Sequence, residues 1–282
     1  MVPQRRLADC GQFSGEYLFA ARSFPFEDET AGFTKPDLLK NLTLTRGIGP
    51  YRQSKLRDKG FDDLIRLSDH PTWSGRAEAV VEAIRKRDAA RLVLSGASYS
   101  ELLSFFTFSD VAVLDIETLG LTFNFPVVLV GILSLSSDGY ETRQYMVVDY
   151  HLEAPMLWEA LTDLSRFPVL VTYNGKSFDI PYVNYRARLL GIDKSLNQVN
   201  VDLLHHARTH YRDSLPDCRL STLERERLGI VRHGDIPGGS IPAAYHLYVE
   251  AGDTALAEAV LEHNLRDLRS LFQLFLSALD EM

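Results

Sequence analysis

The sequence predicts an α/β protein: a mixed β-sheet flanked by helices, preceded by a small all-helical module. Three features lead there. Residues 111–116, 127–135, 142–148 and 169–173 are short β-branched or aromatic runs bounded by turn residues, which read as strands. Helical periodicity dominates the chain beyond residue 153. A separate helical pattern occupies residues 37–95, upstream of the strands.

The N-terminal 1–36 mixes Gly, Pro and Phe without a steady period and reads as an irregular arm. The helical pattern then places apolar residues at Leu38, Leu39, Leu42 and Leu44, at Leu56, Phe61, Leu64 and Leu67, and at Ala79, Val80, Ala83 and Ile84. The small and polar tract Ser95 to Ser100 reads as a linker, which sets a boundary near residue 95. The first three strands have short connections that permit antiparallel pairing. A helix over 153–166 is long enough to cross over to a parallel fourth strand. Helices are expected over 182–190, 202–212, 220–228, 242–250 and 254–279, so 108–280 forms the α/β domain.

The chain has 282 residues, 45% hydrophobic and 24% charged, enough for one sizeable core and a smaller module. Its two cysteines, Cys10 and Cys218, are far apart, which excludes a disulfide framework and a Cys-rich metal site and fits a reducing, cytoplasmic setting. No apolar run suggests a signal peptide or a membrane span. The net charge of -8 argues at first against a polyanionic partner. Its distribution changes that: residues 1–100 carry +3 and residues 101–282 carry -11. Carboxylates that bind divalent cations reverse the local sign before a phosphate arrives, so part of the acidic excess can serve a nucleic-acid substrate.

Asp115 and Glu117 end the first strand on one face, roughly 6.6 Å apart along the backbone because side chains alternate. Like charges near 4 Å repel by about 4 kcal/mol at an effective dielectric of 20, a penalty that a divalent cation removes. Asp179 follows the strand at 169–173 within Asn174-Gly175-Lys176-Ser177-Phe178-Asp179, where Gly175 allows a tight turn and Asp179 suits a helix N-cap. His263 and Asp267 stand four residues apart in the last helix and share a face. Each piece alone has an ordinary structural explanation: a strand leaving the core, a cap, a solvated helix face. Asp202 and His206, with His205 and His210 nearby, also share a helix face, which a polar surface explains as well as a metal does.

The order of the three acidic pieces resembles the DEDD superfamily of 3′-5′ exonucleases and, within it, the YprB-type ribonuclease H-like family, over about residues 108 to 277. The tract from Leu228-Gly229-Ile230 through Asp235-Ile236-Pro237-Gly238 and Ile241-Pro242 to His263-Asn264 resembles the C-terminal half of that family. Superfamily members place Tyr four residues before the last Asp, or His five before it; here His263 occupies the Tyr spacing. The resemblance implies an RNase H-like fold and hydrolysis of phosphodiester bonds by a two-metal mechanism with Mg2+ or Mn2+. It implies that Asp115 bridges both ions, that Glu117 and Asp267 help to hold the ion beside the attacking water, and that Asp179 acts directly or through a water. It gives His263 the role of taking or steering the water's proton. Thr118, Leu119, Asn174 and Phe178 correspond to positions beside the terminal nucleotide.

In the helical module, Leu44-Thr45-Arg46-Gly47-Ile48-Gly49-Pro50-Tyr51, with Lys55-Leu56 and Gly60-Phe61 after it, resembles a helix-hairpin-helix. Gly47 and Gly49 would form the hairpin and expose backbone N–H groups to a DNA phosphate, with Lys55 and neighbouring Arg46, Arg52, Arg57 and Lys59 supplying charge. DNA is therefore favoured over RNA as partner. The competing expectations are a catalytically inactive nucleic-acid-binding protein and a structure-specific endonuclease on the same fold.

Overall fold

A computed structural model describes residues 3–25, 37–135 and 139–279 of the chain. The described residues form two compact units, one from 3–25 and 108–278, the other from 37–107.

The first unit opens with two strands, β1 (Gln4–Asp9) and β2 (Ser14–Pro25), paired as an antiparallel hairpin. The expectation of an irregular arm over residues 1–36 is thus corrected for 4–25; residues 26–36 lie outside those described. The strands escape pattern reading for a physical reason. Tyr17, Leu18, Phe19 and Ala20 are all buried, so β2 shows no alternation. The turn is closed by Cys10, whose backbone N–H donates to the carbonyl of Phe13, with Gly11 at φ +76°.

The second unit begins with single 3-10 turns at Leu38–Lys40 and Leu42–Leu44, where a continuous helix was expected. Asn41 interrupts it: its side-chain oxygen accepts from the Thr43 backbone N–H, competing with helix propagation. Then come α1 (Pro50–Arg57), α2 (Leu64–Leu67), α3 (Ser74–Lys86), α4 (Ala89–Leu94) and α5 (Tyr99–Leu103). The tract expected to be a linker near residue 95 instead starts α5: Ser98 and Glu101 form a capping box, and Asn41 donates to Glu101 at 2.6 Å.

The sheet continues with β3 (Val111–Thr118), β4 (Val127–Leu135) and β5 (Gly139–Val147). Then α6 (Glu153–Leu164) leads to β6 (Val169–Thr172), and α7 (Asp179–Leu189) to β7 (Val199–Asp202). Four helices complete the chain: α8 (Leu203–His210), α9 (Leu220–Arg227), α10 (Ile241–Ala251) and α11 (Thr254–Leu279). The seven strands lie in the order β1-β2-β5-β4-β3-β6-β7, antiparallel except for the parallel pairs β3–β6 and β6–β7. This is the expected mixed sheet flanked by helices. β7, only four residues long, gave no periodic signal of its own. No helix among the described residues is long and apolar enough to cross a membrane.

Every residue of β4 is buried, as in a central strand covered on both faces. On one face α6 docks through Asp163, which accepts from Arg143 at 2.6 Å and from the Tyr145 hydroxyl at 3.0 Å. The other face carries a row of cross-strand neighbours: Ala20, Gln144, Gly131 and Asp115. Over this row lies α11, and Asn264 fills the notch at Gly131. A Cβ added at Gly131 would stand 2.1 Å from the Asn264 side-chain oxygen. Gly131→Ala should therefore lower stability by about 1–3 kcal/mol, the range for overpacking, in a urea titration followed by circular dichroism. An unchanged midpoint would refute the close approach of α11.

Candidate active site

Three elements bring four carboxylates together. β3 supplies Asp115 and Glu117 from one face near its end, where the pairing with β4 is interrupted between Glu117 and Thr118. α7 supplies Asp179, and α11 supplies Asp267 with His263 one turn before it. Asp179 is the first residue of α7, with Phe178 at the cap position, rather than the N-cap itself. Its carboxylate is 5% exposed and accepts from the Ile116 backbone N–H as well as from its own, which explains the inward position.

The electrostatics follow from burial. Desolvation is the largest influence on each of the four acids and pushes all of them upward. Asp115 is raised further by Asp267, Glu117 and Asp179, against a hydrogen bond from Asn264 that favours its charged form. Glu117 is raised by Asp267, Asp179 and Asp235, and Arg232 works the other way. Asp179 is pushed up to about 7, with Asp202 adding to desolvation. In Asp267 the rise is opposed by Arg232 and His263.

His263 stands in the midst of this charge. Its Nδ1 lies 3.0 Å from both oxygens of Asp235. Hydrogen bonding holds the Asp235 carboxyl below its ordinary range, so it is an acceptor and Nδ1 carries the proton. In neutral His263 the lone pair is then on Nε2, which lies 4.0 Å from Glu117 Oε1 and 3.7 Å from Asp267 Oδ2. One ligand atom each from Glu117, His263 and Asp267 lies within 4.8 Å of the others. Acids raised by burial and, at Asp115 and Glu117, further by neighbouring carboxylates, with hard oxygen donors close together, fit a divalent cation.

Three contributors were not foreseen. Asn264, 0% exposed, donates to Asp115 Oδ2 at 2.8 Å and accepts from Gln144 at 2.8 Å. Asp235 and Arg232 come from the loop before α10, which in sequence reads as a Gly/Pro connection. Arg232 pairs with Glu224 (2.5 Å), with Asp235 (2.9 Å) and with Asp267 Oδ1. Neither loop residue sits in a periodic pattern, so only tertiary structure reveals them. Asn264 was legible solely as the neighbour of His263.

The remaining expected residues surround these groups. Thr118 ends β3 and its hydroxyl donates to the Gly120 carbonyl at 2.8 Å. The loop it opens is pinned at its far side: the Tyr182 hydroxyl lies 2.8–3.0 Å from the carbonyls of Gly120, Thr122 and Phe125, and Arg186 donates to that of Asn124 at 3.0 Å. Leu119 and Phe178 are partly buried against the core, with the Phe178 ring 5.2 Å from that of Tyr182. Asn174 adopts φ 64° in the turn between β6 and α7. Gly47, Gly49 and Lys55 belong to the helical unit: Gly47 at φ 97°, Gly49 preceding α1, and Lys55 on α1.

The grouping of Asp202 with three histidines resolves differently. Asp202, 4% exposed, accepts from the backbone N–H groups of Asn174 (2.9 Å), Lys176 (3.0 Å) and Leu204 (3.1 Å). It ties β7 to the turn that presents Asp179. At Gly175 in that turn, a Cβ would stand 2.2 Å from the Thr172 hydroxyl, which enforces glycine.

The chain matches the RNase H superfamily model over residues 112–278. It belongs to that superfamily. It is similar to the uncharacterized protein YprB of Bacillus subtilis (strain 168), with 31% identity over 186 residues, 64% of this chain and 45% of the relative. The chain thus spans less than half the length of that curated relative. Among solved structures it is similar to the family B DNA polymerase from the hyperthermophilic archaeon Pyrobaculum calidifontis, at 21% identity and a TM-score of 0.47, covering 60% of this chain and 24% of the polymerase.

Asp202→Ala would strand three backbone donors and should cost roughly 3 kcal/mol, read as the shift in a denaturant midpoint. Asp202→Asn keeps an acceptor and should cost less than half as much. Equal losses in the two variants would show that the side chain merely fills space.

Proposed function

We propose that this chain is a metal-dependent 3′-5′ exonuclease that hydrolyses phosphodiester bonds of nucleic acid, DNA favoured over RNA. The observation behind this reading is the convergence of four raised acids from β3, α7 and α11, two of which, Glu117 and Asp267, face Nε2 of His263. Asp115, Glu117, Asp179 and Asp267 would hold two Mg2+ or Mn2+ ions. When bound, such ions stabilise charge on the phosphate oxygens and acidify water.

The chain's own residues account for the proton and the geometry. Nε2 of His263 accepts a proton as the water oxygen attacks phosphorus and the bond from phosphorus to the 3′ oxygen breaks. The leaving 3′ oxygen takes its proton from solvent, giving a nucleoside 5′-monophosphate and a shortened strand. Asp235 holds the Nδ1 proton and so keeps Nε2 available. Asn264 fixes one oxygen of Asp115, and Arg232 engages one oxygen of Asp267 while the other faces His263. Thr118, Leu119, Asn174 and Phe178 are assigned to the terminal nucleotide.

The helical unit supports DNA as the polymer. Gly49 precedes α1 with no side-chain cap, so the first N–H groups of that helix have no side-chain acceptor, and Lys55 is on the same helix. A second reading, a nucleic-acid-binding protein without catalysis, is favoured by one observation: Arg232 already neutralises Asp267.

Degradation of 5′-labelled single-stranded and duplex DNA and RNA in Mg2+ or Mn2+ decides between them. A ladder shortening from the 3′ end, reduced at least about 10³-fold in Asp115→Ala and Asp267→Ala, is expected. Salt-sensitive binding without cleavage on every substrate would establish the binding-only reading, and internal cuts would make the enzyme an endonuclease.

Stability gives an independent check. Removing one repelling charge by Asp115→Asn should raise the metal-free Tm by about 2–4 °C, equivalent to about 1 kcal/mol. Mn2+ should raise the Tm of the wild type and raise that of Asp115→Asn less. Equal metal-induced shifts would remove Asp115 from the ligand set.

A further inference from the structure

Beside the acids lies a second concavity that the proposed chemistry does not use. It has a volume of about 690 Å³ and is lined by Tyr173, Asn174, Arg208, Arg212, Arg219 and Leu220, among others. The smaller cavity of about 420 Å³ that holds Arg232, Asp235, His263 and Asp267 also includes Leu220 in its wall. The two therefore adjoin at the start of α9. Asn174 connects the larger one to the turn that presents Asp179.

Three arginines in one groove are unexpected in a chain of net charge -8. Arg208 and Arg212 are four residues apart, at and just beyond the end of α8, and both are exposed. Among the described residues neither has a carboxylate partner, whereas Arg143, Arg186 and Arg232 are each committed to buried acids. The one acid in the wall, Asp217, is occupied: its Oδ1 accepts from the Arg219 backbone N–H at 3.0 Å and from the Thr222 hydroxyl at 2.6 Å. Its 3.8 Å contact with the Arg219 guanidinium is solvent-exposed and weak. Tyr173 adds an aromatic ring whose hydroxyl is anchored on the Cys218 carbonyl.

We propose that this groove binds the phosphate backbone of a single nucleic-acid strand on its way to the acids. The assignment rests on the nuclease reading for its direction, but not for the chemistry of the ligand. Guanidinium groups without internal partners take phosphate oxygens in bidentate geometry, and an aromatic ring beside them suits a base of any sequence. A positive groove next to an acidic centre also resolves the charge problem of this chain. The polyanion is held by the arginines, while the carboxylates meet only the phosphate that is cut.

Binding of labelled oligothymidylate, measured in Ca2+ at several KCl concentrations, tests this. Neutralising two phosphate contacts in Arg208→Ala/Arg212→Ala should flatten the dependence of log K on log [salt] by about 1.4, from roughly 0.7 per phosphate on a single strand. Arg208→Lys/Arg212→Lys keeps the charge and should restore most of the slope. Arg5→Ala/Arg6→Ala removes the same net charge from exposed arginines of β1, at the opposite end of the sheet from β7, and should leave the slope as in the wild type.

A flattened slope in the Ala pair alone supports the groove. An unaltered slope, an equal change in the control pair, a change confined to duplex DNA, or no binding by the wild type overturns it. Cleavage in Mn2+ is scored separately on the same proteins. A flattened slope without any cleavage would therefore sink the nuclease reading and keep the groove, and cleavage with an unaltered slope would do the reverse.

Discussion

The amide of Asn264 lying over Gly131 is the contact that sets everything around it. Gln144, Gly131 and Asp115 are direct cross-strand neighbours on β5, β4 and β3, so they form one row across the sheet. The absence of a side chain at the middle position lets α11 come close enough for one amide to bridge the other two. Fully buried, that amide has no water to fall back on, so losing either partner would leave an orphaned polar group. The bridge therefore fixes both the rotation and the height of α11. His263 precedes it by one residue and Asp267 comes three after it, so their direction toward Glu117 is set by the same bond.

Much of this was readable without coordinates. The strands from β3 to β6 and the long helix α11 announce themselves because β-branched runs and a sustained 3.6-residue period are local properties of the chain. The four acids were singled out by the order of their motifs along the sequence. β2 escaped because Tyr17 to Ala20 are buried in succession, and β1 because it is exposed along nearly its whole length; neither alternates. β7 escaped because four residues carry no period, and the consequence was to read Asp202 as part of a helix face when it is a strand end that clamps the neighbouring turn. Asp235, Arg232 and Asn264 act through contacts 28 to 149 residues away in sequence, and nothing in their local context encodes those distances.

The treatment of buried acids distinguishes the site from the rest of the molecule. Glu153 is paired with Arg186 and also accepts from the Val127 backbone N–H at 2.9 Å. Asp163 is paired with Arg143 and Arg166, Glu224 with Arg232, and Asp202 with three backbone donors. Each arrangement satisfies a carboxylate that would otherwise be costly to bury. The chain thus has the means to neutralise an acid wherever one serves the fold.

It does not do so for Asp115, Glu117 or Asp179. Among the described residues none of the three has a lysine or arginine partner within ion-pair distance. Asp115 receives one neutral amide, Asp179 receives its own backbone N–H and that of Ile116 on β3, and Glu117 stands 4.0 Å from Nε2 of His263, whose Nδ1 is bonded to Asp235. Amide and backbone donors orient a carboxylate without cancelling its charge, and burial then raises its affinity for whatever cation can enter, a proton included. Orientation without neutralisation is a poor way to stabilise a fold, and a good way to keep buried carboxylates ready for a cation. Asp267 is the intermediate case: Arg232 takes one of its oxygens and leaves the other facing His263. The local cost of holding these acids is met elsewhere, by a central strand buried along its whole length and a 26-residue helix laid across it.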